Sequence, residues 1–231
     1  MHRILLVRHG ESIWNHSSKF TGWTNIPLTE NGKLEALQIA KTLKEKNIIP
    51  DVFFSSVLDR AIDTTNIIKN SICSSSPIFT SWRLNEKHYG TLEGLPRGYM
   101  RDEYGSKFTN ILRTNYYMRP PVIPEIDRKK SEYNVFKNCY FDTIKNGESK
   151  ENVLNRALPY FENDILCTLN DNRKPIIVSH KHSIRVLMKH YLDLTDEEFE
   201  SYKLPDHTIL QMNFDENIQF INHEYIPLIK F

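Results

Sequence analysis

Two short stretches of the chain place a histidine two residues after the end of an apolar run. Residues 4–7 are followed by Arg8 and His9, and residues 175–179 are followed by His180. Such runs are typical of buried parallel strands, whose carboxyl ends form the edge at which open α/β sheets bind ligands. An arginine offers a fixed fork of donors and a histidine offers a titratable nitrogen, a combination that suits phosphate. The pattern predicts phosphoryl transfer through His9.

A second arginine is expected at the same edge. Arg60 lies in the first turn of a predicted helix, 58–70, which follows a predicted strand at 52–56. Two arginines and two histidines near helix N-termini would form a pocket for a dianion. The sequence has no glycine-rich nucleotide loop and no acidic cluster suited to magnesium, so we expect side chains alone to meet the phosphate charge, with no metal.

The elements that must position these residues alternate between strand and helix. Thr29 is expected to cap a helix that runs to about Lys46 and buries a face formed by Leu34, Leu37, Ala40 and Leu43. Ser149 is expected to cap a helix that runs to about Leu169. The remaining predicted elements are a strand at 78–82, a helix from about Ser183, a short helix at 196–202 and strands at 208–214 and 220–227.

This order predicts an α/β fold with a doubly wound, mostly parallel sheet flanked by helices. We expect residues 1–231 to form a single domain. An aromatic-rich insertion at about 83–147 interrupts the alternation and is too long for a structureless loop in a compact domain. It is expected to form a helical or irregular lid over the active site.

Composition restricts the environment and the partners. Thirty basic and 29 acidic residues leave a net charge of +1, so we expect no nucleic-acid partner and a locally built anion site. No apolar run approaches the ~20 residues of a membrane span, and no signal peptide is recognised. The three cysteines, Cys73, Cys139 and Cys167, show no metal-ligand spacing. These features favour reduced thiols, no membrane and a cytoplasmic location.

Several motifs carry a resemblance to a known family. They begin with Leu-Val-Arg-His-Gly-Glu-Ser at 6–12 and continue at 14–15, 20–23, 27–29, 56–61, 84–90, 92–95, 120–121, 147–149 and 214–217. Together they resemble the cofactor-dependent phosphoglycerate mutases of the histidine phosphatase superfamily. The first motif alone is typical of the superfamily, whereas Glu-Lys-His-Tyr-Gly at 86–90 and the long insertion favour the mutase branch.

The resemblance implies a mechanism through phosphohistidine. His9, neutral and held in one tautomer by a backbone acceptor, would attack phosphorus. Glu86 would be the general acid and base. The equatorial phosphate oxygens would be bound by Arg8, Arg60, His180 and Asn15. The other implied substrate-binding residues are Thr21, Gly22, Tyr89, Arg97, Arg113, Lys181 and His182.

The resemblance also implies the reaction and its ligands. The enzyme, an isomerase of glycolysis and gluconeogenesis, would interconvert 3-phosphoglycerate and 2-phosphoglycerate. 2,3-Bisphosphoglycerate would prime it by phosphorylating His9, and the substrate would be a small phosphorylated three-carbon acid. The sequence leaves the oligomeric state open, with a homo-oligomer as one alternative.

Some positions depart from the family pattern and keep alternatives open. Arg97 stands where the family has lysine, Thr114 where it has a second arginine, Lys181-His182 where it has Gly-Asn, and Asp206-His207 where it has Thr-Gly. A looser site would admit water, which would make the protein a bisphosphoglycerate phosphatase or a broader histidine-type phosphomonoesterase. A non-catalytic phospho-ligand binding protein is disfavoured. Such a protein has no need of a nucleophile and a proton donor together, and this chain has both in His9 and Glu86.

Overall fold

A computed structural model describes residues 1–120 and 147–230 of the chain, with a six-stranded sheet at the centre of that part. The strands are β1 His2–Arg8, β2 Val52–Ser55, β3 Ile78–Thr80, β4 Pro175–Ser179, β5 Thr208–Phe214 and β6 Phe220–Pro227. Their order across the sheet is β3-β2-β4-β1-β5-β6. The first four strands in that order are mutually parallel, β5 is antiparallel to β1, and β6 is antiparallel to β5. The predicted mostly parallel α/β sheet is confirmed.

The α-helices of the described residues are α1 Ile13–His16, α2 Glu30–Glu45, α3 Asp59–Ser71, α4 Arg97–Thr114, α5 Lys150–Tyr160, α6 Lys181–Tyr191 and α7 Asp196–Ser201. Thr29 caps α2 by accepting from the Gly32 amide, and Ser149 caps α5 by accepting from the Asn152 amide, as predicted. Beyond Pro159 the helix continues as a π turn, Phe161–Ile165, and a 3-10 helix, Leu166–Asp171. No described helix is both long and apolar enough to cross a membrane.

Side chains of β1 alternate between two cores on opposite faces of the sheet. Ile4 and Leu6 belong to the core that includes residues of α5 and α6. Leu5 and Val7 belong to the core that includes residues of α2 and α3. A strand covered by helices on both faces needs apolar residues at every position, which explains the continuous run at 4–7.

The predicted buried face of α2 is wrong for two of its four residues. Leu34 and Leu37 are 50% and 37% exposed. The buried apolar residues are Ala36, Ile39, Ala40 and Leu43. Residues placed every three positions move around the helix axis by about 60° per step, because a turn takes about 3.6 residues. The mixed spacing of three and one keeps the buried residues on one face.

The insertion predicted at 83–147 is described up to residue 120. That part contains the 3-10 helices Trp82–Leu84 and Gly90–Leu92 and then α4. The first of these ends β3 at Thr80, two residues before the predicted strand end. Gly105, at φ +80°, breaks the helical path of α4 in a conformation that disfavours other residues. Residues 121–146, which include Cys139 and the rest of the predicted lid, lie outside the described residues.

A buried ion pair joins α5 to the segment that carries Glu86. Arg156 donates from Nε to Oε1 of Glu148 (2.7 Å) and from Nη2 to Oε2 (3.0 Å). The same guanidinium donates to the carbonyl oxygens of Arg83, Asn85 and Glu86 at 2.7–2.9 Å. The side chains of Arg156 and Glu148 are only 7% and 1% exposed. This pair therefore fixes the backbone that presents Glu86.

Replacing Arg156 with methionine should lower the free energy of unfolding by about 3–5 kcal/mol, because Glu148 would stay buried without its cation. Urea denaturation followed by circular dichroism measures this loss. Arg173→Met is the matched control, since Arg173 pairs with Asp51 at 3.9 Å on the surface, where a pair contributes under about 1 kcal/mol. Equal losses in the two variants would contradict the role given to the buried pair.

Candidate active site

The adjacent parallel strands β1 and β4 bring the two predicted histidines together. The backbone N–H of His9 donates to the carbonyl oxygen of Ser179 at 3.0 Å. The imidazole centroids of His9 and His180 lie 4.8 Å apart, and the two residues are 5% and 0% exposed. The edge formed by the carboxyl ends of β1 and β4 therefore holds a buried pair of imidazoles.

Hydrogen bonds assign the tautomer of His9. Nδ1 lies 2.6 Å from the carbonyl oxygen of Gly10, which can only accept, so Nδ1 carries the proton. Nε2 then has a lone pair and accepts from Nε–H of Arg60 at 3.3 Å. Burial, followed by the charges of Arg60 and Arg8, lowers the pKa of His9 well below its usual range. His9 is a neutral imidazole whose Nε2 is available as a nucleophile.

Two backbone carbonyl groups orient Arg60, the second residue of α3. Nη1 donates to the Thr24 carbonyl (3.0 Å) and Nη2 to the Gly22 carbonyl (2.7 Å). Gly22 adopts φ +54°, and a Cβ there would collide with the carboxylate of Glu93, which accepts from the Trp23 amide. Burial lowers the pKa of Arg60 to about 10, so the guanidinium stays charged at neutral pH. A fixed cation therefore lies beside Nε2 of His9.

Glu86 presents an ionised carboxylate. Its Oε1 accepts from the Lys87 amide at 2.7 Å and lies 3.0 Å from Nδ1 of His182. Burial by itself raises the pKa of Glu86, but the interaction with His182, including its hydrogen bond, together with His180 and the Lys87 amide outweighs burial and lowers the pKa well below its usual range. A carboxylate of this kind is suited to accept a proton from a hydroxyl group.

Most of the predicted site residues line one cavity of about 350 Å³. They are Arg8, His9, Asn15, Thr21, Gly22, Arg60, Glu86, Tyr89, Arg97, Lys181 and His182. His180 is fully buried against His9, with Nε2 2.7 Å from Oγ of Ser56. Arg113 belongs to α4, but its side chain lies outside the described residues. The structure thus gathers residues from six separate parts of the chain around His9.

Three of these residues have contacts that bear on ligand binding. Arg8 has its Nη1 3.6 Å from Oδ1 of Asp206, one of the departures from the family pattern. Asn15 uses Oδ1 to accept from Oγ of Ser12, in the cap of α1. Thr21 has a buried Oγ1 with no hydrogen-bond partner within residues 1–120 and 147–230. Its hydroxyl is available to a bound group.

The cavity has further lining residues that sequence reasoning missed as ligand contacts. They are Phe20, Asn110, Thr114, Arg185, Glu200, Tyr202 and Lys203. Arg185 lies four residues after Lys181 on α6, so helical spacing could have indicated it. Lys203 follows α7 and has no comparable signal in the sequence. Together with Arg97 and Lys181, these two residues add cations to the cavity wall, which favours an anion with more than one charged group.

The fold and the buried histidine after β1 define a class of protein. A family model described as the histidine phosphatase superfamily (branch 1) matches residues 4–224. The chain therefore belongs to the histidine phosphatase superfamily, a superfamily of enzymes, and the resemblance read from its motifs is confirmed.

Individual relatives are more specific. A protein of Bifidobacterium longum (strain DJO10A) named 2,3-bisphosphoglycerate-dependent phosphoglycerate mutase is 36% identical over 219 residues, 94% of this chain and 88% of that protein. A protein of the same name from Lachnoclostridium phytofermentans is 35% identical and covers 97% of this chain and 91% of its own. A solved mycobacterial glucosyl-3-phosphoglycerate phosphatase complexed with VO3 has a TM-score of 0.73 at 20% identity, covers 97% of each chain and shows the shared fold.

Acidification below pH 6.5 should destabilise the protein through its buried histidines. Burial lowers the pKa of His180 well below its usual range, so the unfolded chain takes up a proton that the folded chain does not. The free energy of unfolding then falls by about 1.4 kcal/mol per pH unit for each such histidine. Urea denaturation between pH 7.5 and 5 should show a shallower decline for His180→Gln than for the parent. Identical slopes would contradict a neutral, buried His180.

Proposed function

We propose that the protein is a phosphoglycerate mutase that interconverts 3-phosphoglycerate and 2-phosphoglycerate through phosphohistidine at His9. The observation that carries the proposal is that His9, Arg60 and Glu86 line one cavity, with the tautomer of His9 assigned by Gly10. A nucleophile, a cation for phosphoryl oxygens and a carboxylate for protons are what transfer between histidine and a hydroxyl needs. The name shared by the two bacterial relatives supports the choice of substrate.

The first half of the reaction loads His9. Nε2 attacks phosphorus in line, the N–P bond forms, and the bond from phosphorus to the alcohol oxygen breaks. Glu86, protonated at this stage, gives its proton to the departing oxygen. The Gly10 carbonyl continues to accept from Nδ1–H and stabilises the positive charge that develops on the imidazole.

Fixed cations stabilise the charge of the transferring phosphoryl group. We assign its equatorial oxygens to Arg8, Arg60, Asn15 and His180. His180 has a buried Nδ1 without a hydrogen-bond partner among the described residues, which leaves that nitrogen for a phosphoryl oxygen. Arg60 is already oriented by two carbonyl groups, so little reorganisation is required of it.

The second half returns the phosphoryl group to the other hydroxyl. Ionised Glu86 accepts the hydroxyl proton while the hydroxyl oxygen attacks phosphorus, the N–P bond breaks, and His9 becomes neutral again. The lowered pKa of Glu86 keeps it ionised at the start of this step. A bound phosphate raises that pKa, because like charges disfavour ionisation, and this lets Glu86 carry the proton to the next leaving oxygen.

The cavity wall suits a ligand with several negative charges. Beyond the phosphoryl site it carries Arg97, Lys181, Arg185 and Lys203. We assign the carboxylate and a second phosphate to these cations, with Tyr89 and Thr21 beside them, and we retain Arg113 as a predicted carboxylate contact. 2,3-Bisphosphoglycerate would fit such a wall and would supply the phosphoryl group that first loads His9.

A phosphatase that passes the same phosphoryl group to water is the second candidate. Thr114 lines the cavity where the family has a second arginine, and its hydroxyl donates to the Asn110 carbonyl within α4. The shorter neutral side chain removes one cation from the substrate and leaves room for water near phosphohistidine. The two candidates share the loading of His9 and differ in the acceptor.

Incubation with radiolabelled 2,3-bisphosphoglycerate should place acid-labile phosphate on His9, since phosphohistidine hydrolyses in acid. Addition of 3-phosphoglycerate should then yield 2-phosphoglycerate, which a coupled enolase assay detects. His9→Ala should abolish both labelling and turnover. Labelling with only inorganic phosphate released would make the protein a phosphatase, and neither labelling nor turnover would refute the mechanism.

Thr114→Arg should raise the ratio of 2-phosphoglycerate to inorganic phosphate by roughly tenfold, because a hydrogen bond to a charged group contributes about 1.5–3 kcal/mol to holding the substrate. Product analysis by ion-exchange chromatography gives the ratio. Thr109→Arg places the same charge on α4 outside the residues that line the cavity and should leave the ratio unchanged. A ratio unaffected by Thr114→Arg would show that this position does not control the acceptor.

A further inference from the structure

We propose that His182 is a positioning residue that holds Oε1 of Glu86 and leaves Oε2 as the oxygen that carries the proton. The proposal deepens the proposed function and rests on it, because it assigns a partner to the general acid and base. It also replaces the role that the sequence suggested for His182, which was direct contact with the substrate.

Three N–H donors converge on a single oxygen of Glu86. Oε1 accepts from the Lys87 amide at 2.7 Å, from the His182 amide at 3.3 Å and from Nδ1 of His182 at 3.0 Å. No hydrogen bond from a described residue reaches Oε2. The Glu86 side chain is 13% exposed and lines the cavity, so Oε2 is the oxygen left for a reacting group.

The acceptor determines the tautomer of His182. A carboxylate oxygen only accepts, so Nδ1 carries the proton and Nε2 carries a lone pair. Burial lowers the pKa of His182 to about 4, although Glu86 acts to raise it, and the ring is therefore neutral at neutral pH. A neutral ring with an unprotonated Nε2 cannot donate from that nitrogen to a phosphate oxygen. The ring serves Glu86 instead.

Contacts at the start of α6 restrain His182. Its backbone amide and its ring donate to the same oxygen of Glu86, which fixes both the side-chain rotamer and its distance from the carboxylate. Oγ of Ser183 donates to the Asn85 carbonyl at 2.5 Å, so two successive residues of the helix join the segment at 85–86. The ring also lies edge-on to Tyr89, with centroids 6.1 Å apart. His182 is thus held before any substrate binds.

Other titratable groups face Glu86 and would persist in a variant of His182. They are the cations Arg60, Lys87, Lys181 and Arg185 and the neutral imidazoles of His9 and His180. Because these groups are common to the parent and its variants, a change in the pKa of Glu86 reports the loss of the His182 contact.

The direct test is the pKa of the Glu86 carboxyl group, measured by a carbon-13 NMR titration of the protein without substrate. His182→Ala should raise this pKa, because the carboxylate loses a donor that favours its charged form. His182→Asn retains an N–H donor near the position of Nδ1 and should keep the pKa closer to that of the parent. His190→Ala is the matched control on α6, since His190 is exposed and its charged contact is Glu162.

Two results of the NMR titration would overturn the proposal. One is an unchanged pKa of Glu86 in His182→Ala, and the other is an equal rise in the alanine and asparagine variants. Nitrogen-15 shifts of the parent provide a readout that needs no variant to fold: they should show the Nδ1–H tautomer of His182, and the Nε2–H tautomer would also overturn the proposal.

Kinetics separate this role from a substrate contact. With 3-phosphoglycerate as substrate, His182→Ala should lower kcat by about tenfold or more and leave KM within about twofold. The loss in kcat is a part of the ~10²–10⁴-fold contribution of general acid–base catalysis. Base catalysis is lost as the pH falls through the pKa of Glu86, so the acidic limb of the kcat profile should move to higher pH. A rise in KM with kcat and its profile unchanged would restore the substrate role. If 2,3-bisphosphoglycerate does not load His9, the proposed function fails, and the NMR titration still decides the contact.

Discussion

The contact between Arg60 and the unprotonated nitrogen of His9 is the constraint on which the rest of the site depends. A guanidinium 3.3 Å from a buried imidazole is tolerated only while the imidazole is neutral, because two buried like charges would repel each other without screening by water. Because Nε2 accepts a hydrogen bond from Arg60, the single proton of the neutral ring lies on Nδ1, which donates to the Gly10 carbonyl. The lone pair on Nε2 of His9 is therefore a consequence of its two neighbours.

The site residues are positioned in two ways, by backbone pairing within the sheet and by buried side-chain contacts. The parallel pair β1 and β4 brings His9 and His180 to one edge of the sheet through backbone hydrogen bonding. Glu86 lies outside any strand, so its segment is held by side chains instead, chiefly the buried Arg156–Glu148 pair. The main effect of this pair is to hold the backbone that carries Glu86 in place. A buried ion pair adds little to stability compared with apolar packing, but breaking it is costly.

The charge of the cavity is local and does not follow from the composition of the chain. A net charge of +1 gives no long-range attraction, yet eight cationic or histidine side chains line the cavity. Asp206 contacts Arg8, and Glu200 lies on the same wall as Lys203. Four of the departures from the family pattern, Arg97, Thr114, Lys181 and His182, line the cavity, whereas His9, Arg8 and Arg60 keep the family motif.

Local patterns in the chain were sufficient to predict most of the strands and helices and the sheet edge at which the two histidines meet. Continuous apolar runs predicted β1 and β4, capping residues such as Thr29 began helices where predicted, and the motif at 6–12 indicated the superfamily. These features depend on neighbours along the chain. Three features required the packed structure. They are the buried face of α2, the cavity contacts of Lys203 and the pairing of His182 with Glu86, 96 residues away. Their physical reason is that side chains distant in sequence compete for the same buried donors and acceptors, and only packing selects which of them meet.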